Sequence, residues 1–242
     1  MHLQRPANKQ EAPRKRFITA EKETALTATW RTREHSLRSS IVSPLKRENR
    51  QTSTGEGIPV IKYNFVSDSD CLDILFIPKG SGSENMSFMK MLVPADGVKG
   101  IKKFVLEHIV GAGAKPCPPT IVGVGIGGSS DLVMALAKKA TTLAIGSKNP
   151  DPQIAALEEE LFNAINQTGI GPQGLGGNTT ALAVHIESAW THITCNPVAV
   201  NMQCWRATSA RPNLGGRKSG RKILKLGRKF TVALSEGFYT ES

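Results

Sequence analysis

The chain has 242 residues, enough for one large domain or two small ones, and its 39% hydrophobic and 21% charged content excludes a wholly disordered chain. No apolar run approaches the ~18–20 residues a membrane span needs, and four cysteines in this length are no disulfide scaffold, so free thiols in a reducing cytoplasmic compartment are expected. The net charge of +11 is carried by the ends: residues 1–50 hold 12 Lys/Arg against 5 Asp/Glu, residues 206–242 hold 9 against 2, and residues 51–205 hold 10 against 13. A nucleic-acid domain usually displays its basic stripe on the fold itself, so the charge says little about the core.

Residues 1–36 are polar, basic and aperiodic, contain PRKR at 13–16, lack the apolar core of a secretory signal, and read as a solvated tail. From Ile58, IPVIKYNFV reads as a strand, SDSD (67–70) as a turn and CLDILFIP (71–78) as a second strand, a hairpin. PKGSGSEN (78–85) is a Gly/Ser loop. Ile101, Phe104, Val105 and Ile109 fall at helical spacing and predict an amphipathic helix over 98–111.

After KPCPP comes TIVGV (120–124), a short strand of buried type, and then Ser129, Ser130 and Asp131 offer caps to a helix carrying Leu132, Val133, Leu136 and Ala140. Asp151-Pro152 opens another helix, with Ile154, Leu157, Leu161 and Ile165 on one face and a stop at Gly169. A second glycine-rich loop, GIGPQGLGGNTT (169–180), leads to two apolar segments, ALAVHIE and ITCNPVAVNMQCW. Beyond Arg206 the chain is basic again. Alternating strands and helices predict an α/β domain, with a mixed α+β arrangement as the alternative, over residues 37–214. Residues 1–36 and 215–242 flank it as basic ends.

Gly123, Gly125 and Gly128 spell G-x-G-x-x-G between a strand and a helix, the context of a dinucleotide site. The acid expected ~20 residues on would be Asp151, already a helix cap, so a tight strand-to-helix turn fits at least as well. Cys117 stands before Pro118 on a stiff loop, the kind of position that thiolate ligation of a metal needs. Cys204 ends an apolar strand, whereas Cys71 and Cys195 look structural, and no Cys-x-x-Cys spacing exists. His192 lies in an apolar stretch, where a core role competes with acid, base or carboxylate-donor chemistry. His185 and Glu187 share one side of a period-two strand, which suggests an orienting pair. Arg38 by itself is a surface arginine.

Taken together, KGSGSENMSFMKML (79–92), KPCPPTIVGVGIGGSSDLVMALAKKA (115–140), NPDPQIAALEEEL (149–161), GIGPQGLGGNTTALAVHIE (169–187) and THITCNPVAVNMQCW (191–205) resemble the alpha half of class I fumarate hydratase and L-tartrate dehydratase. These are iron–sulfur hydro-lyases, and the resemblance covers roughly residues 37–206. It implies a [4Fe-4S] cluster held by three cysteines, whose open iron acts as Lewis acid on a small hydroxy-dicarboxylate, malate or tartrate, as water is removed. It implies that Cys117 and Cys204 are two of the three cluster ligands. His192 would be an active-site histidine, Arg38 a grip on a substrate carboxylate, and Lys79, Gly80, Ser81, Gly82 and Ser83 the lining of the substrate site. A beta subunit or beta-type domain is the implied partner, supplying the catalytic base.

The chain also departs from that pattern. The Cys-Gln-Asp-Thr-Gly stretch with the family's first cysteine has no counterpart, residues 1–36 match nothing in the pattern, and Trp205-Arg206-Ala207-Thr208 replaces a small-residue stretch. Of the beta half there is only a faint likeness in residues 225–242. The expectation is therefore a truncated chain that has little or no activity alone, and the alternative is an inactive remnant of such an enzyme. A basic-tailed nucleic-acid-binding protein, using PRKR and GRKSGRK, ranks last because the tails lack interleaved aromatics that stack on bases.

Overall fold

The computed structural model describes residues 41–51, 72–73, 77, 79–205, 213–214, 222–225 and 231–234. Arg38, Cys71, nearly all of the expected hairpin and most of both basic ends lie outside these residues. Residues 73–213 form one compact unit, and residues 1–72 with 214–242 another. In the latter, β1 (Ile41–Val42) pairs antiparallel with β2 (Arg50–Gln51). A two-residue strand, β3 (Leu72–Asp73), precedes the elements of the larger unit.

That unit is built on a four-stranded sheet of β4 (Phe88–Leu92), β5 (Thr120–Gly127), β6 (Ala181–Ala189) and β7 (Asn196–Gln203), in the order β4-β7-β5-β6. β5 and β6 are parallel, and β7 runs antiparallel to both β5 and β4. Around it lie α1 (Ser81–Glu84), α2 (Gly97–Ala112), α3 (Ser130–Ala140) and α4 (Pro152–Asn166). Beyond it are β8 (Asn213–Leu214) and the antiparallel pair β9 (Lys222–Lys225) and β10 (Thr231–Leu234). Among the described residues no helix is long and apolar enough to cross a membrane.

The period-two alternation of the strands divides the sheet into two chemically different faces. Val122, Val124, Val184, Ile186, Val198, Val200 and Met202 point to one side, where Ile101, Val105 and Ile109 of α2 and Leu161 and Ile165 of α4 close the main core. On the other side α3 packs Val133 and Ala137 against Ala199. Its approach is set by glycine. A Cβ on Gly123 would stand 2.2 Å from the carbonyl oxygen of Ala137, and one on Gly125 2.2 Å from that of Val133. The helix backbone thus rests directly on the strand, which only a residue without a side chain permits.

Two glycines of the G-x-G-x-x-G are therefore explained by packing. Gly128 makes the turn, with φ of +73°. Ser129, expected as a cap, donates its hydroxyl to Asp131 Oδ1 at 2.5 Å, with no side-chain bond to the helix backbone. A carboxylate thus stands in the first turn of α3, where a bound phosphate would need positive potential. The tight-turn reading is the one the geometry supports.

Helix α4 does more than close the core. Asp151 caps it as expected, accepting from the N–H of Gln153 at 2.8 Å. In the middle of its apolar stripe, Glu158 accepts the N–H of Ile186 at 2.7 Å, and Asn149 donates to the Ile186 carbonyl at 2.9 Å. At the last residue of the helix, Asn166 Oδ1 accepts from Thr180 and Ala181 at 2.7 and 2.9 Å. Side chains thereby satisfy polar groups along the outer edge of β6, one of the ways native sheets close an edge.

Three elements differ from the sequence expectations. Residues 81–84, expected as loop, wind into one helical turn because Glu84 N–H bonds the Gly80 carbonyl at 2.9 Å and Ser83 Oγ donates to the same oxygen at 2.9 Å. β4 was not foreseen: four of its five residues are exposed, and its pairing with β7 makes it a strand. Cys195 precedes β7 in a turn closed by its N–H on the His192 carbonyl at 2.8 Å, so it is not part of the apolar strand.

Two predictions follow from the packing. Gly125→Ala should destabilise the fold by about 1–3 kcal/mol through overpacking, lowering Tm by about 3–10 °C. Gly111→Ala, in open space on α2, should raise Tm slightly; scanning fluorimetry compares the two. Burial pushes the pKa values of His108 and His185 below the ordinary histidine value. Between folded and unfolded values the unfolded chain binds more protons, so stability should be full above about pH 6.5 and fall below it. Urea midpoints measured from pH 7.5 to 5.5 should decline, and less steeply in His108→Phe.

Candidate functional site

The antiparallel register places Ile121 opposite Gln203. The residues just before β5 and just after β7 therefore meet at one end of the sheet. These are Cys117 and Cys204, 87 positions apart in sequence. The link is direct: the N–H of Trp205 donates to the Cys117 carbonyl at 3.2 Å.

Cys117 is exposed and has φ of +57°, a left-handed conformation that non-glycine residues adopt at some cost. Its own N–H bonds the Ala114 carbonyl at 2.9 Å, and Gln173 donates to the next carbonyl, that of Pro118, from its backbone at 2.8 Å and its side chain at 3.2 Å. Gly174 packs against Ala114, where a Cβ would stand 2.4 Å from that of the alanine. The second glycine-rich loop thus buttresses the Cys117 turn. Strained residues held by several neighbours concentrate at functional sites.

The Lys79–Ser83 segment closes on the same point. A Cβ on Gly80 would lie 3.9 Å from Cys204 Sγ, and one on Gly82 2.6 Å from the carbonyl oxygen of Lys115. Glycine at 82 lets the α1 turn rest on the backbone leading into Cys117. Lys79 Nζ donates to the Met202 carbonyl at 2.6 Å and to Ser83 Oγ at 3.1 Å, and pairs with Glu84 at 3.2 Å. The lysine takes the β7 carbonyl just beyond the end of the β4 pairing. Burial lowers the Lys79 pKa, opposed by the charge of Glu84 and, more weakly, by Cys204. Burial raises that of Glu84, but the ammoniums of Lys138 and Lys79 outweigh it and leave the carboxyl below its ordinary value.

His192 is not brought to this point. It lies in the β6–β7 connection, next to Thr191, whose hydroxyl donates to the Gly128 carbonyl at 3.1 Å. Gly128 follows the last residue of β5, so the eight residues of that strand, about 26 Å at ~3.3 Å each, separate His192 from the cysteine end. Its Nδ1 accepts the N–H of Thr194 at 3.2 Å. Cys195 shares this far end. His185 and Glu187 do not form the expected pair: Glu187 binds Lys139 at 2.9 Å, and the buried His185 is hydrogen-bonded to the backbone of Ala144.

Sequence reasoning missed Glu84, Lys138 and Asn201. Asn201 is fully buried on β7, donates to Ser87 Oγ at 2.6 Å, and its Oδ1 has no partner among the described residues. Its signal was present as a polar residue at an alternate position of an apolar strand. As for metal, Cys117 and Cys204 bring two thiols to the same end of the sheet, of the type that holds iron–sulfur clusters. Among the described residues no group of three His, Cys, Asp or Glu could hold a metal ion. Two ligands fit such a group, and a third is not among the described residues.

Comparison with known proteins gives a concordant result. A model of the family described as fumarate hydratase (fumerase) matches residues 11–211, so the match begins inside the basic segment for which the residues alone offered no counterpart. A Methanocaldococcus jannaschii protein named "Putative L(+)-tartrate dehydratase subunit alpha" is 51% identical over 175 residues, 72% of this chain and 61% of the relative. The L(+)-tartrate dehydratase subunit alpha of Escherichia coli strain K12 is 39% identical over 169 residues, 70% of this chain and 56% of the relative. The chain thus spans about six-tenths of the length of these curated relatives.

The lysine at the centre of the site can be tested for its structural weight. Lys79→Met should leave the Met202 carbonyl without its donor and cost about 1–3 kcal/mol in a urea titration. Lys139→Met, which removes an exposed pair, should cost under about 1 kcal/mol.

Proposed function

The chain belongs to the fumarate hydratase (fumerase) family, and from that premise we propose that it forms the alpha region of a hydro-lyase removing water from a hydroxy-dicarboxylate such as malate or tartrate. The observation that carries this reading is the convergence of Cys117, Cys204 and the Gly80–Ser83 turn at one end of the sheet. Cys117 and Cys204 are two of the thiolates for a [4Fe-4S] cluster. Such a cluster, when bound, supplies an open iron as Lewis acid toward the leaving hydroxyl.

The chain's own residues shape the surroundings of that point. The left-handed backbone at Cys117 presents its thiol outward, and Cys204 is set beside the α1 turn. Lys79 has three donors and spends them on Met202, Ser83 and Glu84. It therefore fixes the turn, and substrate carboxylate contacts fall to the exposed Gly80–Ser81 edge. Arg38, outside the described residues, adds a guanidinium fork for a carboxylate. His192 would be an active-site histidine acting from the far end of the sheet. A beta subunit or beta-type domain completes the enzyme, and the cytoplasm keeps its thiols reduced.

Anaerobic reconstitution of the purified chain with iron and sulfide tests the metal assignment. Iron and sulfide should be incorporated with the visible and EPR signatures of a cluster, and Cys117→Ser or Cys204→Ser should each lose most of it, whereas Cys195→Ser should not. Added beta subunit should then confer dehydration of L-malate or L-tartrate. A folded chain that takes up no iron, or that keeps its uptake in both serine variants, would overturn the proposal.

A further inference from the structure

The carboxylate of Glu84 is shared between two ammoniums from opposite parts of the unit. Oε2 lies 3.2 Å from Lys79 Nζ, and Oε1 accepts from Lys138 Nζ of α3 at 2.6 Å. Lys79 is nearly enclosed, its side chain 15% exposed, and its remaining donors go to the Met202 carbonyl and Ser83 Oγ. Ser83 in turn donates to the Gly80 carbonyl at 2.9 Å. These bonds form one continuous path from α3 through Glu84 and Lys79 to the turn beside Cys204.

The path starts from a fixed point. α3 rests on Gly123 and Gly125 without intervening side chains, so the depth of Lys138 relative to the sheet is set by backbone contact. It ends at Gly80, where an added Cβ would stand 3.9 Å from Cys204 Sγ. A turn of four residues has little helical stability of its own, so its placement depends on such anchors.

We propose that Glu84 is a positioning residue of the candidate site, its shared carboxylate tying Lys79 to Lys138 and thereby holding the Gly80–Ser83 turn against Cys204. The inference rests on the reading that this end of the sheet is the hydro-lyase site. Glu84 touches neither thiol; it acts through Lys79. Glutamine at this position keeps the shape and one acceptor but loses the charge that attracts both ammoniums.

Hydrogen exchange on the intact chain is the first test, read on the amides of Glu84 and Asn85, which bond the carbonyls of Gly80 and Ser81. In Glu84→Gln and in Lys138→Met these amides should exchange about tenfold faster, with β5 and β7 unchanged. Lys139→Met, which breaks the neighbouring pair of α3 with Glu187, should leave them as they are. In the enzyme assembled with its beta subunit, Glu84→Gln should raise KM about fivefold or more while kcat stays within about twofold, the signature of lost uniform binding. Glu84→Asp should recover part of that loss. Unchanged exchange in Glu84→Gln would overturn the proposal, as would a loosened turn with unaltered KM. Should the parent chain show no turnover with the beta subunit, the hydro-lyase reading fails, and the exchange result alone decides whether Glu84 fixes the turn.

Discussion

Everything at the candidate site depends on the antiparallel register of β5 and β7. With Ile121 opposite Gln203, the entry to one strand and the exit of the other come together, and the N–H of Trp205 reaches the Cys117 carbonyl. A slip of one residue would turn Val200 and Met202 out of the core, and the burial of both makes that shift costly. A slip of two residues would keep the faces but move the thiols apart by about 7 Å. The hydrophobic face thus fixes a distance between two residues that take no part in the core.

The opposite face of the sheet fixes depth. Gly123 and Gly125 remove side chains from β5 where α3 crosses it, and the helix settles onto the strand backbone. Seated there, α3 carries Lys138 to Glu84 and Lys139 to Glu187. The same helix that closes the sheet therefore also fastens the turn beside Cys204. Packing and site geometry are coupled through one short ion-paired path, and its inner end, at Lys79, is shielded from water and screened less than a surface pair would be.

Several features could be read from residues alone because their causes are local. The apolar spacing of Ile101, Val105 and Ile109 gave α2 to within a residue at each end, and Asp151-Pro152 gave the start of α4, which ends three residues before the expected stop at Gly169. Other features had no local cause. β4 owes its strand form to a neighbour, and the α1 turn to hydrogen bonds on Gly80 beside a lysine anchored on β7. The buried Glu158 beside an apolar stripe has its reason in the open edge of β6, which gives it a partner. The pairing of Cys117 with Cys204 came from family resemblance; spacing could not supply it. His192, only twelve positions before Cys204, proves to be farther from it in space than Cys117 is, because β7 lies between.

What the sequence determined by itself was the set of elements and the kinds of side chain available. Periodicity, caps and glycine positions act over a few residues, and so they survive without a fold. The family motifs likewise named Cys117, Cys204 and the Lys79–Ser83 segment as a group. Tertiary structure alone decided which of these residues meet. Strand pairing joins positions far apart in the chain, and its register is set by burial of a whole face rather than by any residue at the site. That is why the cysteines and the α1 turn converge at one end of β5, while His192 stands at the other.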